Sequence, residues 1–194
     1  MNIGPVILEG SIIRLEPMTP DHLDVLWEAG SDESLWRLIP TNIASRDDML
    51  KYIESALADC DRGVALPFVT IERSSGKVIG STRLGNIDSA NLRTEIGWTW
   101  VTPIFQRTAV NTEAKLLMLT HAFEIWKCVR VELKTDVLNE KSRNAILRLG
   151  AKQEGIFRKH VICDTGRFRD SIYFSILDTE WETVKQNLRS MLDV

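Results

Sequence analysis

Apolar positions along the chain recur at two spacings, one of two residues and one of three to four, and these divide it into strands and helices. Ile7–Pro17 alternates, with Ile12, Ile13 and Leu15 around Arg14 and Glu16, and predicts a strand closed by Pro17 and Pro20. Thr19-Pro20-Asp21 reads as a helix start, with Leu23, Leu26 and Trp27 on one face and Gly30 at the end. Residues 31–45 connect, and Trp36 within them either plugs the end of a core or lines a pocket. Ser45 then caps a helix carrying Met49, Tyr52, Ile53, Ala56 and Leu57 at helical spacing, ended at Asp61-Arg62-Gly63. Leu66–Glu72 and Val78–Ile87 form a hairpin across Ser74–Lys77, with Gly80 and Gly85 as bulge positions. Strands follow at 93–101 and 129–137, a helix at 139–150, a hairpin of 153–163 with 168–177, and a closing helix at 181–192. The order predicts one sheet of mixed direction in an α/β (α+β) domain covering 1–194.

The stretch 95–127 organises the rest. A strand ends near Val101, a loop follows, and the helix from Thr112 to Lys127 is apolar on almost every side, as befits the spine of a core. The loop has no acidic residue and contains Arg107; Ala109 and Val110 are compact, and Asn111 reads as the cap. Unpaired N–H groups and a partial positive charge at a helix start suit an anion such as a pyrophosphate. The same pattern also fits an ordinary strand–turn–helix of a mixed fold.

The 194 residues are 44% hydrophobic and 26% charged with a net charge of -3, as for a soluble globular domain without the basic face of a nucleic-acid binder. Cys60, Cys128 and Cys163 have neither zinc spacing nor a disulfide pattern, and His22, His121 and His160 have no metal spacing. No secretory signal opens the chain and no stretch approaches a membrane span, so a cytoplasmic location without a membrane partner is expected.

Four segments in this order resemble the GNAT superfamily of acetyl-CoA-dependent N-acetyltransferases, and more narrowly its RimJ/RimL-like branch, which acetylates ribosomal-protein N-termini. They are Ile12-Ile-Arg-Leu-Glu-Pro17, Glu95-Ile-Gly-Trp98, Gln106-Arg-Thr-Ala-Val-Asn111-Thr-Glu-Ala-Lys115 with His121-Ala-Phe-Glu124, and Asn139-Glu-Lys-Ser142-Arg-Asn144 ending in Leu149-Gly-Ala151. The resemblance runs from about Leu8 to Leu177. It implies a mostly antiparallel sheet of about seven strands with a splayed central pair and helices on both faces.

It also implies acetyl-CoA as cofactor. Its pyrophosphate would be wrapped by the main chain of Gln106, Arg107, Thr108, Ala109, Val110 and Asn111. Its pantetheine arm would lie beside Trp100 and Val101, with Asn139 and Ser142 flanking the thioester. Two positions depart from the family pattern: Ala109 stands where glycine is usual, and Ile146 where many members carry a tyrosine acid for the leaving thiol.

Acetyl transfer to an amine needs a neutral nucleophile, a donor for the developing oxyanion and a proton for the thiolate. Glu95, in an otherwise apolar strand beside the cofactor loop, is the candidate base; the alternative is a carboxylate paired with Arg83 or Arg93. Ser142 either donates to the departing sulfur or belongs to a helix cap. Arg158-Lys159-His160 with Arg167 and Arg169 reads as a solvated edge, or as a site for an acidic peptide or a phosphate. The expected activity is direct acetyl transfer to a primary amine, either a peptide N-terminus or a small molecule. A degenerate domain that binds acyl-CoA or a protein partner without turnover is the second reading. Edge strands in the last hairpin leave room for a homodimer.

Overall fold

The computed structural model describes residues 1–193. The described residues form eight strands: β1 (Leu8–Glu9), β2 (Ile13–Pro17), β3 (Leu66–Glu72), β4 (Val78–Asp88), β5 (Arg93–Val101), β6 (Arg130–Asp136), β7 (Lys152–Ile162) and β8 (Phe168–Leu177). They make one sheet in the order β1-β2-β3-β4-β5-β6-β8-β7, antiparallel except for the parallel pair β5–β6. The helices are α1 (Leu23–Gly30), α2 (Arg46–Asp61), α3 (Val110–Thr120), α4 (Glu140–Arg148) and α5 (Asp178–Leu192). α3 continues into one π turn at His121–Ile125.

The expected count of seven strands becomes eight because the first strand is broken. Gly10 N–H turns back to Ile13 O at 2.9 Å, and Glu113 of α3 captures the next N–H groups. Its Oε1 accepts from Ser11 N and Oγ at 2.8 Å, and its Oε2 from Ile12 N at 2.9 Å and Ile13 N at 2.7 Å. A β-carbon at residue 10 would collide with this carboxylate, so the break requires glycine.

Helices cover both faces. Leu15, Phe68, Ile96, Val131 and Phe174 pack with Met118 and Leu119 of α3, Ile146 of α4 and Leu188 of α5. The opposite face puts Val69, Ile71 and Trp100 against Leu26 of α1 and Met49 and Ile53 of α2. Trp36 is a core plug there: its indole N–H donates to Gly30 O at 2.8 Å, and its ring lies 5.3 Å from that of Trp100. α1 and α2 reach only the β2–β5 half of the sheet. On β6 and β8 the same face carries polar residues: Glu132, Lys134 and Asp136 of β6 pair in register with Ser175, Tyr173 and Ser171 of β8.

Two irregularities shape the centre of the sheet. The β4–β5 register shifts between Ser81 and Arg83, leaving Trp98 and Thr99 opposite Thr82 alone, with Trp98 at φ 51°. This bulge lets Ile96 face α3 and Trp100 face α2. The parallel β5–β6 pairing stops at Glu95 and Glu132, although β5 continues to Val101 and β6 to Asp136. Beyond that point the strands part, giving the splayed central pair.

Candidate active site

The loop between β5 and α3 lies at the mouth of this opening. Pro103–Phe105 form a single 3-10 turn, Gln106 Nε2 donates to Val101 O at 3.1 Å, and Thr108 Oγ donates to Phe105 O at 2.7 Å. The helix cap is Ala109 rather than Asn111, which sits inside the first turn; no side chain caps this start. The N–H groups of Arg107, Thr108, Ala109, Asn111 and Thr112 have no acceptor among the described residues. No acid lies nearby to compete, because Glu113 is already saturated by Ser11–Ile13. An uncapped start with several free donors is a ready anion site. Ala109 has φ -68°, so the alanine in the glycine position needs no strained backbone. The residue at positive φ is Arg107, at 62°.

Asn139 caps α4: its Oδ1 accepts the Ser142 N–H at 3.0 Å. Ser142 therefore serves the cap through its backbone, and its hydroxyl has no partner among the described residues. Trp100 is buried, with its indole N–H unpartnered, while Val101 is half-buried. Both lie on the part of β5 that has left β6, where main-chain groups face the opening.

Glu95 marks the closed end of the opening, on the α2 side of the sheet. It is 2% exposed. Its Oε2 receives Lys134 Nζ at 2.9 Å and Asn86 Nδ2 at 2.8 Å. Pairing with Arg83 or Arg93 does not occur. Arg83 is buried between the Tyr52 and Trp98 rings and points to Asp59, while Arg93 pairs with Asp88 and Glu132. Glu95 Oε1 keeps no hydrogen bond, and a β-carbon at Gly97 would come within 2.9 Å of it. Lys134 reaches Glu95 from across the splay and lies 5.9 Å from the Trp98 ring and 5.6 Å from that of Tyr173. Next to these groups is a cavity of about 900 Å³, whose walls include Asp59, Asn86, Glu95, Trp98, Glu132 and Tyr173.

The β7–β8 hairpin closes over this side. Asp164 N–H donates to Pro40 O at 2.9 Å, and Asp164 Oδ2 accepts Asn42 N–H at 3.0 Å. The 31–45 segment and the hairpin turn thus form an arch above the face that carries Glu95. Arg158 and Lys159 lie exposed on the edge strand, as expected of a solvated edge. Arg167 and Arg169 do not: Arg167 pairs with buried Asp136 at 2.5 Å, and Arg169 is itself buried. Burial, with Lys134 and Arg169 close by, lowers the pKa of His160.

His121 is a core residue, edge-on to Trp126 at 4.8 Å, with its pKa lowered by burial. Cys128 is packed, and burial pushes its thiol up to about 11. No group of three or more potential metal ligands occurs among the described residues. No described helix is long and apolar enough to cross a membrane. Sequence reasoning missed Lys134, Asn86, Lys115 and the Asn42–Asp164 tie. Alternation along β6 puts Lys134 on one face, but only the sheet order brings that face to Glu95.

The chain matches the family model described as "Acetyltransferase (GNAT) domain" over residues 13–152. It is 36% identical over 110 residues to "Putative ribosomal N-acetyltransferase YdaF" of Bacillus subtilis (strain 168), a match spanning 57% of this chain and 59% of that protein. The structure superimposes on a GCN5-related N-acetyltransferase from Brucella melitensis with a TM-score of 0.88 at 34% identity, covering 96% of this chain and 85% of that one. Mycobacterium smegmatis RimJ, solved in complex with CoA-disulfide, shares the fold with a TM-score of 0.80 at 22% identity, over 97% of this chain and 93% of its own. A family model that spans most of the chain, laid over this splayed sheet, makes the protein a member of the GNAT acetyltransferase superfamily.

Proposed function

We propose that the protein transfers acetyl from acetyl-CoA to a primary amine, a peptide N-terminus or a small molecule, by direct attack within a single domain. The observation that carries this reading is the set of free N–H groups of Arg107, Thr108, Ala109, Asn111 and Thr112 at the mouth of the β5–β6 opening. These donors, with the Arg107 guanidinium and no opposing acid, fit a diphosphate. Gln106–Asn111 would hold the diphosphate, the main chain of Trp100 and Val101 the amide arm, and Asn139 Nδ2 and Ser142 Oγ the remaining polar groups. When bound, the cofactor supplies an acetyl group activated as a thioester.

The acceptor amine enters from the α2 side, beneath the arch of 31–45 and the hairpin turn. Lys134 and Asn86 hold the Glu95 carboxylate in place through Oε2, and its free Oε1 accepts the proton that the amine must lose before it attacks. Gly97 keeps that oxygen uncovered.

Calorimetry with acetyl-CoA, followed by thiol release across a panel of peptides and small amines, tests the proposal. Binding together with thiol release from at least one amine supports it. Absence of binding at millimolar acetyl-CoA overturns it.

A further inference from the structure

Lys115 is a buried group with no role in the mechanism so far. It is 5% exposed and has no ion pair among the described residues. Its Nζ has a single partner, the Thr99 hydroxyl at 2.9 Å, which in turn meets Thr82 Oγ at 2.7 Å. Thr99 is in the bulge of β5, on the segment that has left β6. Lys115 follows the first residue of α3 by five positions, roughly 7.5 Å along the helix axis. Thr99 precedes Val101 by two residues, roughly 6.6 Å along the strand. The pair therefore lies one level below the anion loop, on the α3 wall of the opening. Ile146, 7% exposed, brings no proton to that opening.

We propose that Lys115, acting through the Thr99 hydroxyl, supplies the proton taken up by the thiolate as acetyl leaves it; this rests on the acetyl-CoA reading given above. Thr99 O–H gives its hydrogen to the sulfur while Lys115 Nζ–H restores it. The carbon–sulfur bond breaks as the carbon–nitrogen bond forms, and the proton shed by the amine goes to Glu95 or solvent. Lys115 is left neutral and regains a proton from solvent.

Its protonation equilibrium suits the task. Desolvation alone pushes the Lys115 pKa down to about 7, below the roughly 8.5 of an ordinary thiol, so transfer to a thiolate runs downhill. The charged groups on and around α3 are engaged elsewhere. Glu113 holds Ser11–Ile13, Arg148 of α4 donates to Thr112, and Lys185 of α5 pairs with Glu124. In β2, Arg14 pairs with Glu16, and in β1, Glu9 pairs with Arg73. Thr99 of β5 and Thr82 of β4 are uncharged.

The test combines a titration of the unloaded protein with kinetics. In ¹⁵N-lysine NMR of the apo protein, the Nζ signal assigned by its loss in Lys115→Met should titrate near neutrality. Wild-type kcat should fall as pH rises above about 7, because the protonated amine is the donor. Lys115→Met and Thr99→Val should each lower kcat about a hundredfold and abolish that alkaline limb, with acetyl-CoA affinity unchanged by calorimetry. Thr99→Ser should restore both. Thr99→Val carries the test alone if Lys115→Met does not fold. A Nζ midpoint near the ordinary lysine value of about 10.4 overturns the proposal. So does an unaltered alkaline limb in Thr99→Val with acetyl-CoA still bound, and that result leaves the function above intact. Failure of the wild type to bind acetyl-CoA removes both.

Discussion

Glu113 Oε2 accepts the Ile13 N–H at 2.7 Å across 100 residues of chain. One carboxylate of α3 thereby fixes where the first strand breaks and where β2 begins, and it seats the helix whose start carries no side-chain cap. Replacing Glu113 by Ala leaves three backbone N–H groups and one hydroxyl without their acceptor. We expect a loss of about 3 kcal/mol in urea unfolding, since each buried orphan costs on the order of 1–3 kcal/mol and water repairs part of it. A midpoint equal to that of wild type would show that the latch contributes nothing.

Arg107 occupies φ 62°, where a side chain is strained and glycine is not. Arg107→Gly is expected to raise stability by about 1 kcal/mol, and Arg107→Lys to leave it unchanged. Thermal denaturation separates the two. The same pair of variants in acetyl-CoA calorimetry reports whether the guanidinium adds to binding beyond the backbone donors.

Asn139 has a structural role in the α4 cap and, in the proposed function, a binding role as well. Its Oδ1 caps α4 through Ser142 N–H, and only its Nδ2 is left for a ligand. Asn139→Ala should cost about 1 kcal/mol, whereas Asn139→Asp preserves the cap. If Nδ2 contacts the cofactor arm, both variants weaken acetyl-CoA binding. Equal affinity in wild type and Asn139→Asp would confine this residue to capping.

Glu95→Gln keeps the shape of the site but removes the proposed proton acceptor and leaves Lys134 without its counter-charge. We expect kcat to fall at least about tenfold while acetyl-CoA affinity stays near wild type. Steady-state kinetics showing an unchanged kcat would remove Glu95 from the reaction.

Lys115 also couples stability to pH. Its pKa is lowered on folding from 10.5 to about 7, so between these values the unfolded chain binds more protons than the folded one. Its contribution is greatest above 10.5, is lost as pH falls toward 7, and is constant below that. The difference in unfolding free energy between wild type and Lys115→Met should therefore move in favour of wild type as pH rises from 7 to 10, followed by urea melts at each pH. A pH-independent difference would mean that Lys115 keeps an ordinary pKa.

The sequence alone determined what is local. Alternation and helical spacing located most strands and helices, Ser45 marked a true cap, and the pattern before α3 marked a loop leading into a helix start. The order of segments carried the GNAT resemblance and, with it, the splayed sheet. Periodicity could not foresee that Gly10 would be turned by Glu113, nor that α3 would start at Val110 with no side-chain cap. An apolar-looking helix also concealed Lys115. Its neighbours in sequence give no sign that its amine would meet one hydroxyl and no carboxylate.

Tertiary structure decided the state of each ionisable group. Glu95 is paired because sheet order sets β6 beside β5 and Lys134 on the same face; Arg83 and Arg93, nearer in sequence, face other partners. Arg169 is buried because β8 lies inside the sheet, between β6 and the edge strand β7. The reason is physical. Helix and strand periods are set by covalent geometry between neighbouring residues, whereas the charge a side chain can hold depends on the water and counter-charges that remain around it after folding.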